Sequence, residues 1–332
     1  MGHQWDRDDG DERRASEADS GTDTGPVLRG ELDTVRRASA VESVSERSVL
    51  SDRLRSFLRG RRLSVAGTHD GDRPVVEPCL GETGFLTVAG DTVVWPATAL
   101  ADERRSLVGP DARRPLSLFA AAWSGSPAAL RVAGTVTRQP SPPGEAATDA
   151  STDWYVLEAA DAGFDPEASL PTLTVGDAPA DEATESHRTT YDRLVAAAEQ
   201  VVCAQRLAVL GTPTGDGAPL LTPLTGPLGF VQVLDAHTIA WPVYRDAVPV
   251  AALQEAGTAA LLVPDSTATD GMVQLSGPVS RYDSVAGATD PSPGDRADDW
   301  LLMDVERATV SRDPPLPPLS VAATEPPWAS DG

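Results

Sequence analysis

Two short segments place apolar residues at helical spacing, one in each half of the chain. In the first, Leu50, Leu54, Phe57 and Leu58 recur at i, i+4, i+7 and i+8 and line one helix face. The second segment contains Tyr191, Leu194, Val195, Ala198, Val201 and Val202. The spacing therefore predicts two amphipathic helices.

After each helical segment come short β-rich runs separated by Gly, Asp and Pro turns. Residues 231–234 and 238–241, joined by Asp235-Ala236-His237, have the pattern of a β-hairpin. Each half contains about six such runs with little helix between them, which favours an antiparallel barrel over a parallel α/β sheet. The predicted fold class is mainly β (α+β), with one barrel per half and a helix before each.

The two halves also resemble each other in sequence. Residues 62–96 align with 206–242. The matched positions are Gly67-Thr68 with Gly211-Thr212, Pro78 with Pro223, Gly84-Phe85 with Gly229-Phe230, Trp95-Pro96 with Trp241-Pro242, Gly134 to Arg138 with Gly277 to Arg281, and Trp154 to Glu158 with Trp300 to Asp304. Several ordered matches at nearly constant offset indicate a tandem duplication.

The duplication divides the chain into five parts. The predicted boundaries are a disordered acidic tail at 1–30, a first repeat at 31–175, an acidic linker at 176–185, a second repeat at 186–320 and a tail at 321–332.

The net charge of the chain limits which classes of molecule it can bind. The 332 residues include 27 Lys plus Arg and 50 Asp plus Glu, a net charge of −23, and the sequence has no Lys. Such a field repels nucleic acid, and the lack of Lys excludes Schiff-base catalysis and a Walker-type phosphate loop. A pI near 4.4 with Arg in place of Lys resembles proteins of high-salt cytoplasms.

Other chemistry receives little support. Cys79 and Cys203 are far apart, and the histidines lack metal-ligand spacing, so we expect no disulfide and no metal site. Cys79 is predicted on a strand facing a groove, although both cysteines are most simply small apolar residues. With no apolar segment long enough for a membrane span and no signal peptide, we expect no membrane association and a cytoplasmic location.

The segment from Gly226-Pro227-Leu228-Gly229-Phe230 to Trp241-Pro242 resembles the pyridoxamine-5′-phosphate-oxidase-like family of flavin-binding split barrels. The likeness covers about 186–310 and extends through the repeat to 45–160. It implies six-stranded split barrels that dimerise and bind one FMN in each of two grooves between subunits. With both barrels on one chain, it implies a monomer that forms an intramolecular pseudo-dimer.

The resemblance also implies a cofactor site. The implied FMN-binding residues are Thr222, Thr225, Gly226, Trp241, Tyr244 and Arg245. In the first repeat Glu77 stands where the second has Thr222, and its carboxylate would repel a phosphate. The flavin is therefore expected mainly in the second repeat.

Two functions remain open at this stage. One is a flavin-dependent oxidoreductase acting on a small molecule, with its catalytic residues and substrate unknown. The other is a cofactor-free barrel pair that serves as a binding or interaction module. For Trp241, packing in the barrel core is favoured over contact with a flavin ring, and Arg245 could equally pair with Asp246 in solvent.

Overall fold

The computed structural model describes most of the two repeats. The described residues are 48–71, 73–100, 108–109, 112–123, 128–141, 153–166, 168, 170, 173–175, 187–214, 217–243, 257–265, 271–289, 299–312 and 319–321. The predicted tail at 1–30 and the linker at 176–185 lie outside them. Among the described residues, no helix is long and apolar enough to cross a membrane.

The first half is a helix followed by a seven-stranded antiparallel sheet. Its elements are α1 (Asp52–Arg59), β1 (Leu63–Asp70), β2 (Arg73–Leu80), β3 (Thr87–Ala89), β4 (Thr92–Pro96), β5 (Arg113–Ala122), β6 (Ala128–Gln139) and β7 (Trp154–Asp165), with the short β8 (Leu173–Val175) beyond them. The strand order is β2-β1-β5-β6-β7-β4-β3. Ser51 caps α1 by accepting a hydrogen bond from the Leu54 amide.

The second half repeats this arrangement. Its elements are β9 (His187–Tyr191), α2 (Ala196–Cys203), β10 (Leu207–Thr212), β11 (Leu220–Thr225), β12 (Gln232–Asp235), β13 (Thr238–Val243), β14 (Thr258–Pro264), β15 (Gly271–Tyr282), β16 (Asp299–Asp304), β17 (Arg307–Arg312) and β18 (Leu319–Val321). The order β11-β10-β14-β15-β16-β13-β12 matches the first sheet strand for strand. The predicted fold, two barrel-like β units each preceded by a helix, is confirmed.

The second sheet has nine strands and the first has seven, because one long strand is interrupted in the second half and the strand β9 is added there. In the first half β7 pairs with β6 along its whole length, with a register shift beside Gly134. In the second half the equivalent run is divided into β16 and β17, beside Gly277. A Cβ at Gly134 would collide with the Glu158 carbonyl oxygen, and one at Gly277 with the Asp304 carbonyl oxygen. Glycine therefore allows the same backbone crossing in both halves.

The second predicted helix begins later than its apolar pattern indicates. Tyr191 belongs to β9, which pairs with β17, and the helix starts at Ala196. The Leu194 amide donates to the Ala236 carbonyl oxygen at 2.7 Å, which holds the intervening chain outside the helix. The β-favouring sequence Thr189-Thr190-Tyr191 gains a strand partner, so tertiary pairing overrides the helical spacing.

Each half encloses its own apolar core. The first core contains Trp95, Leu116, Leu130 and Tyr155, and the second contains Trp241, Leu261, Leu275 and Met303. Trp95 and Trp241, which are equivalent in the repeat, are 0% and 1% exposed.

The strands that follow the two barrels pair with each other. β8 and β18 are antiparallel, with Leu319 opposite Val175 and Val321 opposite Leu173. Since Leu173 and Leu319 are the first residues of the two strands, this reciprocal register is what a two-fold relation between the halves produces. The tail predicted from 321 begins inside β18.

Candidate functional site

The two halves meet through a third apolar cluster, which we call the interface cluster. It combines strand residues of both barrels: Leu63, Val65, Val76, Leu80, Phe119, Ala121, Trp123, Ala129, Ala168, Leu207, Val209, Leu221, Ala260, Leu262 and Met272. All are buried. The sheets therefore pack face to face through an apolar surface.

Two glycines show that this packing is reciprocal. A Cβ on Gly67 would lie 2.7 Å from Leu221 Cδ2, and one on Gly211 would lie 2.5 Å from Val76 Cγ2. Gly67 pairs with Val76 across β1 and β2, and Gly211 pairs with Leu221 across β10 and β11. Val76, the cross-strand neighbour of Gly67, therefore packs over Gly211 of the other half, and Leu221, the neighbour of Gly211, packs over Gly67. The contact is isologous, because both halves contribute equivalent residues to it.

This symmetry creates two equivalent junctions. β2 and β11 are equivalent edge strands of the two described sheets, at the end of each sheet order opposite to β3 and β12. We call the place where β2 meets β14 and β15 the first junction, and the place where β11 meets the first sheet the second junction. The structural neighbours of β2 at the first junction are β10, β14 and β15, and β11 contacts β5 at the second.

Glu77 closes the first junction. This residue is 1% exposed and accepts a hydrogen bond at 2.7 Å from Gln274 Nε2, which also donates to the Val76 carbonyl oxygen at 2.7 Å. Arg188 Nη2 lies 3.4 Å from Glu77 Oε1 and also hydrogen-bonds Gln274 Oε1. A carboxylate with a guanidinium and an amide around it is internally compensated, so these three side chains present no net positive charge to an anion.

A second ion pair extends the same contact outward. Arg73 of β2 lies 3.0 Å from Glu306, just before β17, with both side chains nearly half exposed. Together with Glu77, it ties the β1–β2 hairpin to the other barrel by charge as well as by apolar packing.

At the second junction, the predicted site residues are only partly brought together. Thr222 is 4% exposed and Thr225 is half-buried, three positions apart on β11. Side chains alternate along a strand, so the two hydroxyls lie on opposite faces of β11. Gly226 follows the strand, and its amide donates to the Arg206 carbonyl oxygen at 3.1 Å.

Trp241 lies elsewhere in the second barrel. Its strand, β13, is separated from β11 by four strands in the sheet order, and its indole belongs to the barrel core. Its Nε1 is buried and has no hydrogen-bond partner among the described residues, and the same holds for Trp95. Packing is therefore the role that the structure gives to this tryptophan. Tyr244 and Arg245 lie outside the described residues.

The cysteines are placed differently from one another. Cys79 lies in the core of the first barrel, because it is on the face of β2 that packs on Ala66. The prediction that its strand position faces a groove is therefore wrong. Burial is the main cause that raises the pKa of the Cys79 thiol, and the charge of Glu77 adds to it. Cys203 is exposed, and partial burial raises the pKa of its thiol as well. Neither is an activated thiolate.

Sequence reasoning missed the two partners of Glu77. Gln274 interrupts the apolar run Met272–Leu275, and a polar residue at such a position is a signal that a buried partner exists. Arg188 carries no such signal, since it lies in a polar segment before the predicted second helix. Within the described chain, no group of three or more His, Cys, Asp or Glu could hold a metal ion.

Comparison with known proteins gives fold neighbours only. No protein-family profile matches the chain, and no curated protein matches it. Solved structures that match include HupZ of Group A Streptococcus, 14% identical over 35% of this chain and 91% of its own, with a TM-score of 0.28.

Two further solved structures match over about a third of the chain. A pyridoxinephosphate-oxidase-family protein from Clostridium acetobutylicum, related to general stress protein 26, is 15% identical over 34% of this chain and 84% of its own (TM-score 0.28). An F420 reductase is 15% identical over 34% of this chain and 95% of its own (TM-score 0.25). The fold assignment above rests on the strand order of this chain itself.

Proposed function

We propose that this chain is a tandem-duplicated split barrel of the pyridoxamine-5′-phosphate-oxidase-like type, which binds one FMN at the second junction as a monomeric pseudo-dimer. The observation that carries the proposal is the reciprocal contact of Gly67 with Leu221 and of Gly211 with Val76. It sets the edge strand of each barrel against the other barrel. That is the arrangement in which the family resembled by the sequence holds FMN between subunits.

Charge favours the second junction as the proposed cofactor site. The FMN phosphate carries between one and two negative charges at neutral pH, so its binding requires donors and no nearby carboxylate. Glu77 occupies the first junction with its compensating partners Arg188 and Gln274. Thr222 offers a neutral hydroxyl at the equivalent position, and β11, which ends the sheet in the described part of the chain, offers backbone groups that a ring could use.

The residues of the second junction fit part of a flavin. A hydroxyl donor and an open strand edge suit a phosphate and a heteroaromatic ring, and Arg245 remains the predicted charge partner beyond the described residues. Bound FMN would supply hydride or electron transfer. The protein's own part would be to bind the phosphate, orient the ring against β11 and shield it with the other barrel.

The second candidate function is a cofactor-free interaction module. It is favoured by Trp241, which is 1% exposed in the barrel core and so is not offered to a ring. It is also favoured by the closed first junction, since a fold can persist after its sites are lost. A cytoplasmic location and adaptation to high salt belong to either proposal.

Titration with FMN, followed by the quenching of flavin fluorescence, tests the choice. We expect binding to the parent protein, weakened roughly ten- to a hundredfold by Thr222→Val, because a hydrogen bond to a charged group contributes about 1.5–3 kcal/mol. The matched control is Thr190→Val, which removes a hydroxyl paired with Thr309 Oγ1 at 3.1 Å, on strands beside the first junction and not the second. An FMN-free parent that does not take up added FMN would favour the interaction module.

A further inference from the structure

The helix of the first half carries a cluster of arginines that the helix of the second half lacks. Ten residues at and after α1, 53–62, include five of the 27 basic residues of the chain, whereas the equivalent residues 197–206 include only Arg206. We call the five the arginine patch: Arg53, Arg55, Arg59, Arg61 and Arg62. Since α1 contacts β3 and α2 contacts the equivalent β12, the shared fold does not require this charge.

Aromatic rings hold two arginines of the patch in place. The Cζ atom of Arg53 lies 4.8 Å from the ring centroid of Phe164, and that of Arg61 lies 4.5 Å from the ring centroid of Phe57. The two rings pack edge to face with their centroids 5.3 Å apart, which fixes α1 against the end of β7. Stacking on a ring face restrains a guanidinium and leaves its N–H edge available to a carboxylate.

Backbone carbonyl groups, which carry no net charge, are the hydrogen-bond acceptors for two of these arginines. Arg59 Nη2 donates to the Val88 carbonyl oxygen at 2.9 Å, and Arg61 Nη1 donates to the Ala121 carbonyl oxygen at 3.2 Å. Among the described residues, no carboxylate oxygen lies within 4.0 Å of Arg53, Arg59 or Arg61. Three positive charges of the patch therefore have no carboxylate partner in the described part of the chain.

The other two arginines pair with carboxylates that lie largely in solvent. Arg55 is 3.0 Å from Asp52, whose side chain is 97% exposed, and Arg62 is 3.8 Å from Glu82, whose side chain is 80% exposed. Such exposed pairs are weak, so they compensate the patch only in part. In a chain of net charge −23, the patch is a local region of positive potential that attracts carboxylates.

The chain itself supplies an acidic segment that leads to this patch. Residues 6–12, with the sequence DRDDGDE, contain five carboxylates and one Arg and lie outside the described residues. The chain enters the patch at Ser48, whose Oγ accepts a hydrogen bond from Arg55 Nη2 at 3.0 Å. The chain between Glu12 and Ser48 can extend to roughly 100 Å, whereas α1 is about 12 Å long, so the segment can reach every arginine of the patch.

We propose that residues 6–12 dock on the arginine patch through carboxylate–guanidinium pairs, and that rising salt releases them. Individual exposed pairs are weak, but covalent connection gives the segment an effective concentration in the millimolar range at the patch. Screening opposes the contact, because the Debye length falls from about 30 Å at 0.01 M salt to about 3 Å at 1 M. The docked segment would cover the patch and exclude other acidic molecules from it. This inference does not depend on flavin binding, which is proposed at the second junction.

The test follows a fluorophore attached to the acidic segment of the full chain. Gly10→Cys provides the thiol in a Cys203→Ser background, since Cys203 is exposed and Cys79 is fully buried. We expect a high fluorescence anisotropy at about 0.05 M NaCl that falls as NaCl rises to about 1 M, because release frees the labelled segment.

Two double variants of equal net charge show whether the patch is responsible. Arg53→Gln/Arg59→Gln removes two exposed arginines of the patch and should abolish most of the salt-dependent change. Arg113→Gln/Arg307→Gln removes two exposed arginines elsewhere and should retain it. An anisotropy of the parent that does not respond to salt, or equal losses in the two double variants, would overturn the proposal.

A variant of the segment keeps the test decisive if the patch variant is less stable than the parent. Replacing the five carboxylates of residues 6–12 by Ser leaves every described residue unchanged and should also abolish the salt-dependent change. Retention of the full change in this variant would overturn the proposal. Thermal melting followed by circular dichroism, on the same labelled samples, shows whether the folds compared are the same.

Discussion

A Cβ atom on Gly211 would lie 2.5 Å from Cγ2 of Val76, a residue of the other barrel. The counterpart contact joins Gly67 and Leu221. In each contact, a side chain of an edge strand, β2 or β11, packs on a glycine of the strand next to the edge strand of the other barrel, β10 or β1. The two contacts therefore mark the centre of the interface. They also explain why glycine stands at both repeat-equivalent positions.

The glycine contacts predict that alanine substitutions at Gly211 and Gly67 lower the stability of the protein by different amounts. Gly211→Ala should cost about 1–3 kcal/mol, and Gly67→Ala should cost less. The reason is that Val76 is β-branched and stiff, whereas the Leu221 terminus can rotate away. Chemical denaturation measures both, with Gly163→Ala as control, since a Cβ at Gly163 meets nothing within 4 Å. Equal, small effects at all three positions would contradict the packing described.

The Glu77 network gives a second prediction. Glu77→Gln should destabilise the protein by about 3–5 kcal/mol, because it leaves the Arg188 guanidinium buried without its charge partner. The Arg188 side chain is 11% exposed. The double variant Glu77→Leu/Arg188→Met should recover much of this loss.

A solvent-exposed ion pair provides the control for that cycle. Arg113→Gln should cost no more than about 1 kcal/mol, since its pair with Glu158 lies in solvent. A Glu77→Gln variant as stable as Arg113→Gln would show that the network does not hold the barrels together.

A third prediction concerns pH. The Asp91 carboxylate accepts from Ser48 Oγ at 2.6 Å and from the Leu50 amide at 2.9 Å, and these bonds lower the pKa of Asp91. A carboxyl whose pKa is lowered by folding stabilises the protein above its unfolded pKa, and that contribution is lost as the pH falls through the folded pKa.

Asp91→Asn should therefore lower the melting temperature at pH 7, and the difference from the parent should shrink below about pH 4. Asp161→Asn, at an exposed position on β7, serves as control and should change the melting temperature little at either pH. A deficit of Asp91→Asn that is constant with pH would show that the carboxylate charge does not anchor the chain before α1.

The acidic composition gives a fourth prediction. With a net charge of −23, removal of salt should lower the melting temperature, because the Debye length grows from about 3 Å at 1 M to about 30 Å at 0.01 M and the carboxylates then repel one another. Melting in a series of NaCl concentrations measures this. A melting temperature that stays constant or rises on desalting would refute a high-salt adaptation.

The repeat made the fold largely predictable from sequence. Several residues recur in both halves: the turn glycines, the Trp-Pro strand ends, and Gly134 with Gly277. Each meets a local backbone or packing requirement, and such requirements can be recognised in the sequence. The start of α2 was not predictable, because Tyr191 is in a strand and not in the helix only through its pairing with a distant strand, β17.

The candidate site was less predictable for the same reason. The resemblance identified Thr222 and its counterpart Glu77, but the partners of Glu77 come from β9 and β15, more than a hundred residues away. Local sequence patterns do not specify which strands of two barrels face each other. The pairing of β8 with β18 was missed because each strand is only three residues long.

The stoichiometry of FMN binding to a chain of known mass tests the central claim most directly. Titration calorimetry, combined with light scattering in concentrated salt, gives the number of FMN molecules and the number of chains per particle. The account predicts one FMN per monomeric chain, since Glu77 closes the first junction and Thr222 leaves the second available. Two FMN per chain, no FMN, or one FMN shared by a dimer of chains would contradict it.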